Sequence, residues 1–164
     1  DLVTDEHGHS APRLGEVDLP PAVARMFHHD LIRDVVRMLC LGWIHGDLSE
    51  YNVLVAEDGP VIIDFPQVVS AGGNNNARKM LLRDVHNLRD SLARFAPELA
   101  ATHYGEEMWA LFQKGELKPD SVLTGKFVFD RHRADVKSVM QTIDEARKEA
   151  LIREQGRKEA AERD

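Results

Sequence analysis

The sequence predicts a mainly α-helical domain with one small β-hairpin. Apolar residues recur every fourth position from residue 23 to residue 39, and a similar 4-3-4-3 spacing runs from residue 81 to residue 95. Both spacings are the period of one face of a helix. Between them lie two short β-branched runs separated by Asp58-Gly59, a pair that favours a tight turn. With 164 residues the chain can bury a core without disulfides or metals.

The first helix is predicted from Ala22 to about Leu41. It follows a polar stretch, residues 1–20, which contains Gly and Pro and is predicted to be a connector rather than a core element. Pro21 tolerates the first turn of a helix, and Gly42 favours the left-handed conformation that ends one. Trp43 and Ile44 are then expected to return the chain to the core.

The hairpin is predicted to pair residues 53–55 with residues 61–63, with the turn at Asp58-Gly59. An antiparallel hairpin returns its two ends to one place. The residue before its first strand is Asn52, and the residue after its second strand is Asp64. The sequence therefore predicts that these two polar side chains lie close together.

The rest of the chain is predicted to be helical, with loops between the helices. Residues 65–76 form a loop whose Asn74 to Asn76 can cap a second helix, from Ala77 to about Phe95. A short helix is expected near residues 98–113 and a loop at 115–125. A charged helix is expected from about Ala134. Its first half should dock on the rest of the protein and its second half should extend into solvent, and Gly156 should weaken its continuation.

Composition narrows the class of protein. The net charge is −7, and residues 1–130 hold twelve Lys or Arg against twenty Asp or Glu, whereas residues 131–164 hold nine against eight. An acidic body gives no strong sign of nucleic-acid binding. The single Cys40 is expected in the core. Because no apolar run approaches the length of a membrane span and no basic-then-apolar leader opens the given sequence, a cytoplasmic protein is predicted.

Residues 45–52, His-Gly-Asp-Leu-Ser-Glu-Tyr-Asn, fit the His-x-Asp-Leu-x-x-x-Asn catalytic loop of protein kinases, and Asp64-Phe65 follows as the metal-binding pair would. Phosphoryl transfer needs a divalent ion held by hard oxygens, so Asn52 and Asp64 are the predicted ligands of Mg²⁺ or Mn²⁺. Asp47 is the predicted base for the attacking hydroxyl. His45 is expected to support the backbone. Taken singly, each could be a turn or capping residue; together, at this spacing, they favour the catalytic interpretation.

The flanking residues resemble the RIO family of atypical serine/threonine protein kinases. Ser49-Glu50-Tyr51-Asn52 and Ile63-Asp64-Phe65-Pro66-Gln67 are similar to that family's signatures, and Arg83-Asp84 with Asn87 resembles its Arg-Asp-x-x-Asn segment. Residues 2–14 resemble its hinge, which implies that Leu2 and Val3 contact the adenine of ATP. Ser49, where ordinary protein kinases carry Lys, and Glu50 are expected to support the loop. Aminoglycoside and choline phosphotransferases share the loop pattern, but Pro66-Gln67 disfavours them.

The resemblance implies a kinase-like C-terminal lobe at 1–130, with hinge and linker at 1–20 and the catalytic and metal loops at 45–67. A charged tail follows at 131–164. It implies transfer of the γ-phosphate of ATP to protein Ser or Thr; an ATPase switch in ribosome assembly is the alternative. The Gly-rich loop and strand Lys of a kinase are absent, and the chain begins with Asp1 rather than Met, so a largely inactive fragment is expected.

Overall fold

The computed structural model describes residues 7–65, 69–72, 76–129 and 131–161, with the side chains of residues 131–139 left out. The chain divides into two compact units, Asp1–Phe127 and Val128–Asp164. The first unit carries the predicted catalytic and metal loops. Its described residues form helices and small antiparallel strands, which confirms the predicted fold class.

The two long helices and the hairpin of the first unit follow one another in the predicted order, with further short elements between them. Short 3-10 helices lie at Leu14–Glu16 and Pro97–Ala101. The helices and strands are α1 Pro21–Cys40, β1 Trp43–Ile44, β2 Val53–Ala56, β3 Gly59–Ile62, β4 Val69–Ser70, α2 Ala77–Ala93 and α3 Tyr104–Gln113. Helices α1 and α2 contact each other, and α3 contacts both, so the apolar core lies between the three.

Helix α1 forms where the four-residue spacing placed it. Leu31 and Leu39 are fully buried, as are Leu88 and Leu92 on α2. The helix ends as predicted, because Gly42 has φ 81° and its amide donates to the carbonyl oxygen of Leu39 at 2.9 Å. A residue with a Cβ adopts that conformation only at a cost, whereas Gly does not.

The hairpin is confirmed, but its turn lies one residue earlier than predicted. Ala56 pairs with Gly59, so Glu57 and Asp58 are the two loop residues, and Gly59 and Pro60 belong to β3. Gly59 has φ 122°, which only Gly adopts readily, and this allows the strand to start directly after the turn. Pro60 has no amide proton to contribute, yet it is tolerated because β3 pairs only with β2 in the described residues and is therefore an edge strand.

The expectation that residues 1–20 contribute nothing to the core was wrong. Leu14 is fully buried inside the 3-10 helix, Arg13 bridges to Leu54, and the Val55 amide donates to the Pro12 carbonyl oxygen at 2.8 Å. This segment therefore lines one edge of the hairpin. Val17 and Leu19 also pack against the core. These few apolar residues lie in a short polar stretch and form no extended periodic pattern, which is why the sequence pattern missed them.

A second small sheet was not predicted. Strand β1 pairs with β4 in antiparallel register, Trp43 opposite Ser70 and Ile44 opposite Val69. Ile44 is buried as expected, but Trp43 is 48% exposed. Residues 65–76 were expected to be loop, and a two-residue strand within them is too short to leave a periodic pattern.

The region after α2 is more divided than predicted. A 3-10 helix and α3 replace the single helix expected near 98–113. Asn76 occupies the cap position of α2, but without a side-chain capping hydrogen bond, and Asn74 and Asn75 lie outside the described residues. Residues 116–129 contain no helix or strand, in agreement with the predicted loop at 115–125.

The second unit contains helix α4, Arg131–Ala161. The helix continues through Gly156, so the predicted weakening there does not end it. One Gly costs about 1 kcal/mol relative to Ala, and the ion pair of Glu154 with Lys158 at 3.1 Å spans that position. Met140 and Ile143 on this helix are exposed, and the docking of its first half stays a prediction. No helix in the described residues is long and apolar enough to cross a membrane.

Buried His28 on α1 predicts a pH-dependent stability. Its ring is 3% exposed and contacts the Tyr104 ring, and burial, with a smaller effect from Arg89 and His29, lowers its pKa to about 4. The unfolded chain binds the proton near pH 6.5, so the free energy of unfolding falls as pH drops through 6.5 towards 4. At pH 4 we expect His28 to lower the free energy of unfolding by about 3 kcal/mol relative to neutral pH.

Urea unfolding of wild type and His28→Phe at pH 7 and pH 4.5 measures this effect, because Phe keeps the ring contact and cannot be protonated. The variant should lose less stability than wild type on acidification. His29→Gln is the matched control, since the His29 side chain is 70% exposed and gains little burial on folding. Parallel pH profiles for wild type and His28→Phe would contradict the assignment.

Candidate active site

The catalytic loop, residues 45–52, connects β1 to β2. Asp47 is exposed within it, and Asn52 is partly buried at its end. Asp64, also exposed, follows β3 by two residues. The Ile63 amide donates to the Asn52 carbonyl oxygen at 2.8 Å, which extends the hairpin ladder by one pair beyond Val53 and Ile62. The structure therefore brings the Asn52 and Asp64 backbones to one end of the hairpin.

His45 links the catalytic loop to the metal loop. The side chain is 1% exposed, its Nδ1 accepts the Asp47 amide at 3.2 Å, and its Nε2 lies 2.9 Å from the carbonyl oxygen of Ile63. Because Nδ1 accepts a hydrogen bond, Nε2 carries the proton and donates it to that carbonyl. Both ring nitrogens are therefore occupied inside the protein, which leaves no ring atom to transfer a proton to substrate.

Asp84 on α2 is a buried support that was not among the predicted site residues. Its side chain is 1% exposed, and its two oxygens accept the amides of Gly46 at 2.7 Å and Leu48 at 3.0 Å. Burial raises the pKa of this carboxyl, and the two amide bonds and the nearby His45 and Arg83 partly offset that rise. One carboxylate thus fixes the residues on both sides of Asp47.

Two neighbours on the same face of α2 complete this support. The Arg83 guanidinium donates to the carbonyl oxygen of Gly46, and Asn87 Nδ2 donates to that of Leu48 at 3.0 Å. Positions 83, 84 and 87 share a face because residues three and four apart are neighbours on a helix. Helix α2 therefore satisfies both polar backbone groups of Gly46 and of Leu48. The Arg-Asp-x-x-Asn pattern was the sequence signal that could have identified them.

The donor set at the end of the hairpin fits a Mg²⁺ or Mn²⁺ ion. Asn52 Nδ2 donates to the Asp47 carbonyl oxygen, which leaves the amide oxygen of Asn52 as the atom able to bind a cation. Asp64 has φ 63°, the one positive φ of a non-glycine residue in the described part of the chain. Such a conformation costs about 1–3 kcal/mol and is typical of functional sites. Magnesium is commonly held by one or two protein oxygens together with substrate phosphates.

Ser49 and Glu50 shape the catalytic loop. The Ser49 hydroxyl oxygen accepts the Tyr51 amide at 3.2 Å, and the Glu50 carboxylate pairs with Arg94 at 3.2 Å. The Glu50 carbonyl oxygen also accepts the Gly15 amide at 3.2 Å, which ties the loop to the 3-10 helix. Tyr51 between them is 59% exposed. These contacts agree with support, and the roles of both residues stay predictions.

The remaining predicted site residues lie outside the described part of the chain. Leu2 and Val3, the predicted adenine contacts, belong to residues 1–6, and Pro66 and Gln67 belong to residues 66–68. Their roles stay predictions.

An exposed apolar surface adjoins the metal loop. It is formed by Met38, Leu41, Trp43 and Phe65, which line an open depression of about 360 Å³. Leu41 is 75% exposed and Phe65 50% exposed. We call this the apolar patch. Apolar surface of this kind, beside polar site residues, is typical of a face that meets another part of a protein.

Comparison with known proteins identifies the family. The sequence model of the RIO domain matches residues 1–104, which is more than half of the chain. The chain belongs to the RIO domain family. The match includes the catalytic loop, the hairpin, Asp64 and α2, so the resemblance noted in the sequence is confirmed, and these elements are those of a RIO domain.

Curated relatives of this RIO chain are named serine/threonine protein kinases. Rio2 of Methanocaldococcus jannaschii is 44% identical over 59 residues, which are 35% of this chain and 22% of that protein. Rio1 of Haloferax volcanii is 36% identical over 86 residues, 51% of this chain and 28% of that protein. RIO2 of Caenorhabditis elegans is 33% identical over 108 residues, 61% of this chain and 19% of that protein. The matches thus span less than a third of each relative's length.

A solved structure with related sequence is the crystal structure of the Rio2 kinase-ADP/Mg²⁺-phosphoaspartate complex from Chaetomium thermophilum. The similarity covers 83% of this chain and 44% of that chain, at 25% sequence identity and a TM-score of 0.49.

Proposed function

We propose that this chain is the catalytic-loop half of a RIO serine/threonine protein kinase, which transfers the γ-phosphate of ATP to a hydroxyl of a protein substrate. The observation that carries the proposal is the support of the catalytic loop by α2. Gly46 and Leu48 are both hydrogen-bonded to buried Asp84, whereas Asp47 between them is exposed. A rigid loop that presents one exposed carboxylate suits a reaction that depends on positioning.

Asp47 is the proposed base. Its backbone is held on both sides, since its amide donates to His45 Nδ1 and its carbonyl oxygen accepts Asn52 Nδ2. The carboxylate is therefore presented to solvent from a fixed backbone, where it can accept the proton of a Ser or Thr hydroxyl as that oxygen attacks phosphorus. His45 has no such freedom, because both of its ring nitrogens are engaged.

Asn52 and Asp64 are the proposed ligands of Mg²⁺, or of Mn²⁺ in its place. When bound, the ion neutralises the negative charge of the triphosphate. Two hydrogen bonds position these residues for the ion. The Asn52 side-chain amide donates to the Asp47 carbonyl oxygen, and the Ile63 amide donates to the Asn52 carbonyl oxygen, which holds the two ends of the hairpin together. Leu2 and Val3 are the proposed contacts of the adenine.

We propose further that the isolated 164 residues do not sustain turnover. Their sequence holds no Gly-rich loop followed by a strand Lys, the parts that hold the triphosphate in a kinase. The apolar patch beside Asp64 is a surface on which the complementary half of a kinase domain could pack. The protein substrate, the link to ribosome assembly and the cytoplasmic location stay predictions.

Binding of Mn²⁺ to the isolated chain tests the metal site without requiring turnover. We expect Mn²⁺ to broaden the amide NMR signals of residues near Asn52 and Asp64, and Asp64→Asn to weaken that binding about tenfold, because it removes the charged ligand. Asp58→Asn is the matched control, since Asp58 lies at the opposite end of the same hairpin. Broadening centred elsewhere, or equal effects of the two variants, would contradict the proposed site.

A further inference from the structure

A cavity of about 300 Å³ lies between α1 and residues 119–123, the segment that follows α3. Its walls are mostly apolar, with Ile32 and Val36 on the α1 side and Leu123 facing them. It shares no lining residue with the catalytic loop, Asp64 or the apolar patch. A cavity of ~150 Å³ accommodates one benzene ring, so this volume suits two fused rings.

The segment that closes the cavity is held by hydrogen bonds. The Ser121 hydroxyl oxygen accepts the Lys118 amide at 2.8 Å, and the Ser121 amide donates to the Lys118 carbonyl oxygen at 3.0 Å. The carboxylate of Glu107 on α3 accepts the amides of Thr124 and Gly125, both at 2.8 Å. The cavity is therefore preformed, as small-molecule sites usually are.

Tyr104 forms a second fixed wall. A Cβ at Gly125 would lie 2.8 Å from the Tyr104 ring, so the ring fits closely against that glycine backbone. The same ring contacts His28 edge-on at 5.4 Å between centroids, and His28 is buried in the core. An aromatic side chain held from two directions offers a flat, rigid surface to an aromatic ligand.

The rim of the cavity carries a guanidinium that makes no direct ion pair with the described residues, although its charge acts on the neighbouring Asp34. Arg33 lines the cavity, and no ion pair joins its guanidinium to a carboxylate in the part of the chain that the structure describes. The neighbouring Asp34 is paired with Arg37 at 3.6 Å, one turn further along α1. His29 and Asp120 also line the cavity, and His29 lies 3.5 Å from Asp30. Among the lining residues Asp120 is the one carboxylate, so the cavity carries one negative charge at Asp120 and one positive charge at Arg33.

We propose that this cavity binds a small aromatic carboxylate. The guanidinium of Arg33 would receive the carboxylate, because its planar pair of donors matches the two oxygens. The rings would lie between Ile32 and Val36 on one side and Leu123 on the other, with Tyr104 as the flat wall. Asp120 restricts the ligand to a single negative charge, since a second one would approach that carboxylate.

An NMR titration of the 164-residue chain with 2-naphthoate tests the proposal. Amide signals of residues 119–123 and of α1 near Arg33 should shift, and the neutral analogue 2-naphthamide should bind at least about tenfold more weakly. Arg33→Gln should weaken binding of 2-naphthoate by a similar factor. Arg37→Gln is the matched control and should stay within about twofold of wild type, because Arg37 lies on the same helix outside the cavity.

Val122 allows a test that leaves the fold intact, because its side chain lines the cavity and is 91% exposed. Val122→Lys should tighten binding of 2-naphthoate about threefold and Val122→Glu should weaken it about threefold, by attraction and repulsion at the rim. Equal affinities for Arg33→Gln and Arg37→Gln would overturn the proposal, as would shifts centred on the apolar patch. The proposal would also be overturned if a peptide with a C-terminal Phe displaced 2-naphthoate and bound more than a hundredfold tighter. The occupant of the cavity would then be the C-terminus of a polypeptide rather than a small molecule.

Discussion

Replacing Asp47 by Asn is expected to lower the rate of phosphoryl transfer about 1,000-fold in a RIO domain that contains these residues together with a Gly-rich loop and a strand Lys. Asn has almost the same shape as Asp, so the bonds of the Asp47 backbone to His45 and Asn52 are kept. What is lost is the carboxylate that accepts the hydroxyl proton, and general bases contribute about 10²–10⁴ in rate. Single-turnover transfer from labelled ATP to Ser or Thr measures the effect.

Asp58→Asn is the control for this substitution, because it makes the same chemical change at the far end of the hairpin. A loss of less than about tenfold for Asp47→Asn would exclude Asp47 as the base. Release of inorganic phosphate without phosphoserine or phosphothreonine, in wild type, would instead favour the ATPase switch. The isolated 164 residues should show neither product at a significant rate.

Replacing Asp84 by Ala is expected to lower the free energy of unfolding by about 4 kcal/mol. The change removes two hydrogen bonds to a buried carboxylate and leaves the amides of Gly46 and Leu48 without partners, and each such loss costs roughly 1–3 kcal/mol. It also leaves Arg83 beside the loop without its nearby negative charge. Urea unfolding at pH 7 measures the loss, and faster amide exchange at Gly46 and Leu48 localises it.

Two variants make this prediction specific. Asp90→Ala, on the same helix, replaces a side chain that is 63% exposed and paired with Arg89, and should change stability by less than about 1 kcal/mol. Asp84→Asn keeps one acceptor oxygen and should lose roughly half as much stability as Asp84→Ala. Equal losses for Asp84→Ala and Asp90→Ala would show that the catalytic loop does not depend on α2 for its stability.

The repeating parts of the fold could be predicted from the sequence because their patterns are long. In the twenty residues of α1 the apolar spacing is repeated over several turns. Gly42 ends the helix because glycine adopts the left-handed conformation without a steric cost. The hairpin was predictable because two β-branched runs flank a turn. Its exact turn was not, because Gly59 could serve either as a loop residue or as the first residue of β3. Packing and pairing with Ala56 decide between them.

Single residues with long-range partners could not be predicted from a pattern. The burial of Leu14 depends on the Arg13 bridge to Leu54, about forty residues away along the chain, and β4 exists because β1 lies next to it. Likewise, the continuity of α4 through Gly156 is a balance between one unfavourable residue and the ion pair around it. These outcomes depend on contacts rather than on local propensity.

For the candidate site, the sequence by itself determined the chemical groups: a carboxylate at Asp47, an amide at Asn52 and a carboxylate at Asp64, at the spacing of a catalytic loop and a metal loop. It also determined the family. The tertiary structure decided how those groups are held. It placed Asp84 beneath the loop, turned the Asn52 amide nitrogen towards Asp47, and engaged both nitrogens of His45. The reason is physical: side-chain chemistry is local, whereas the partners of a buried polar group come from distant parts of the chain.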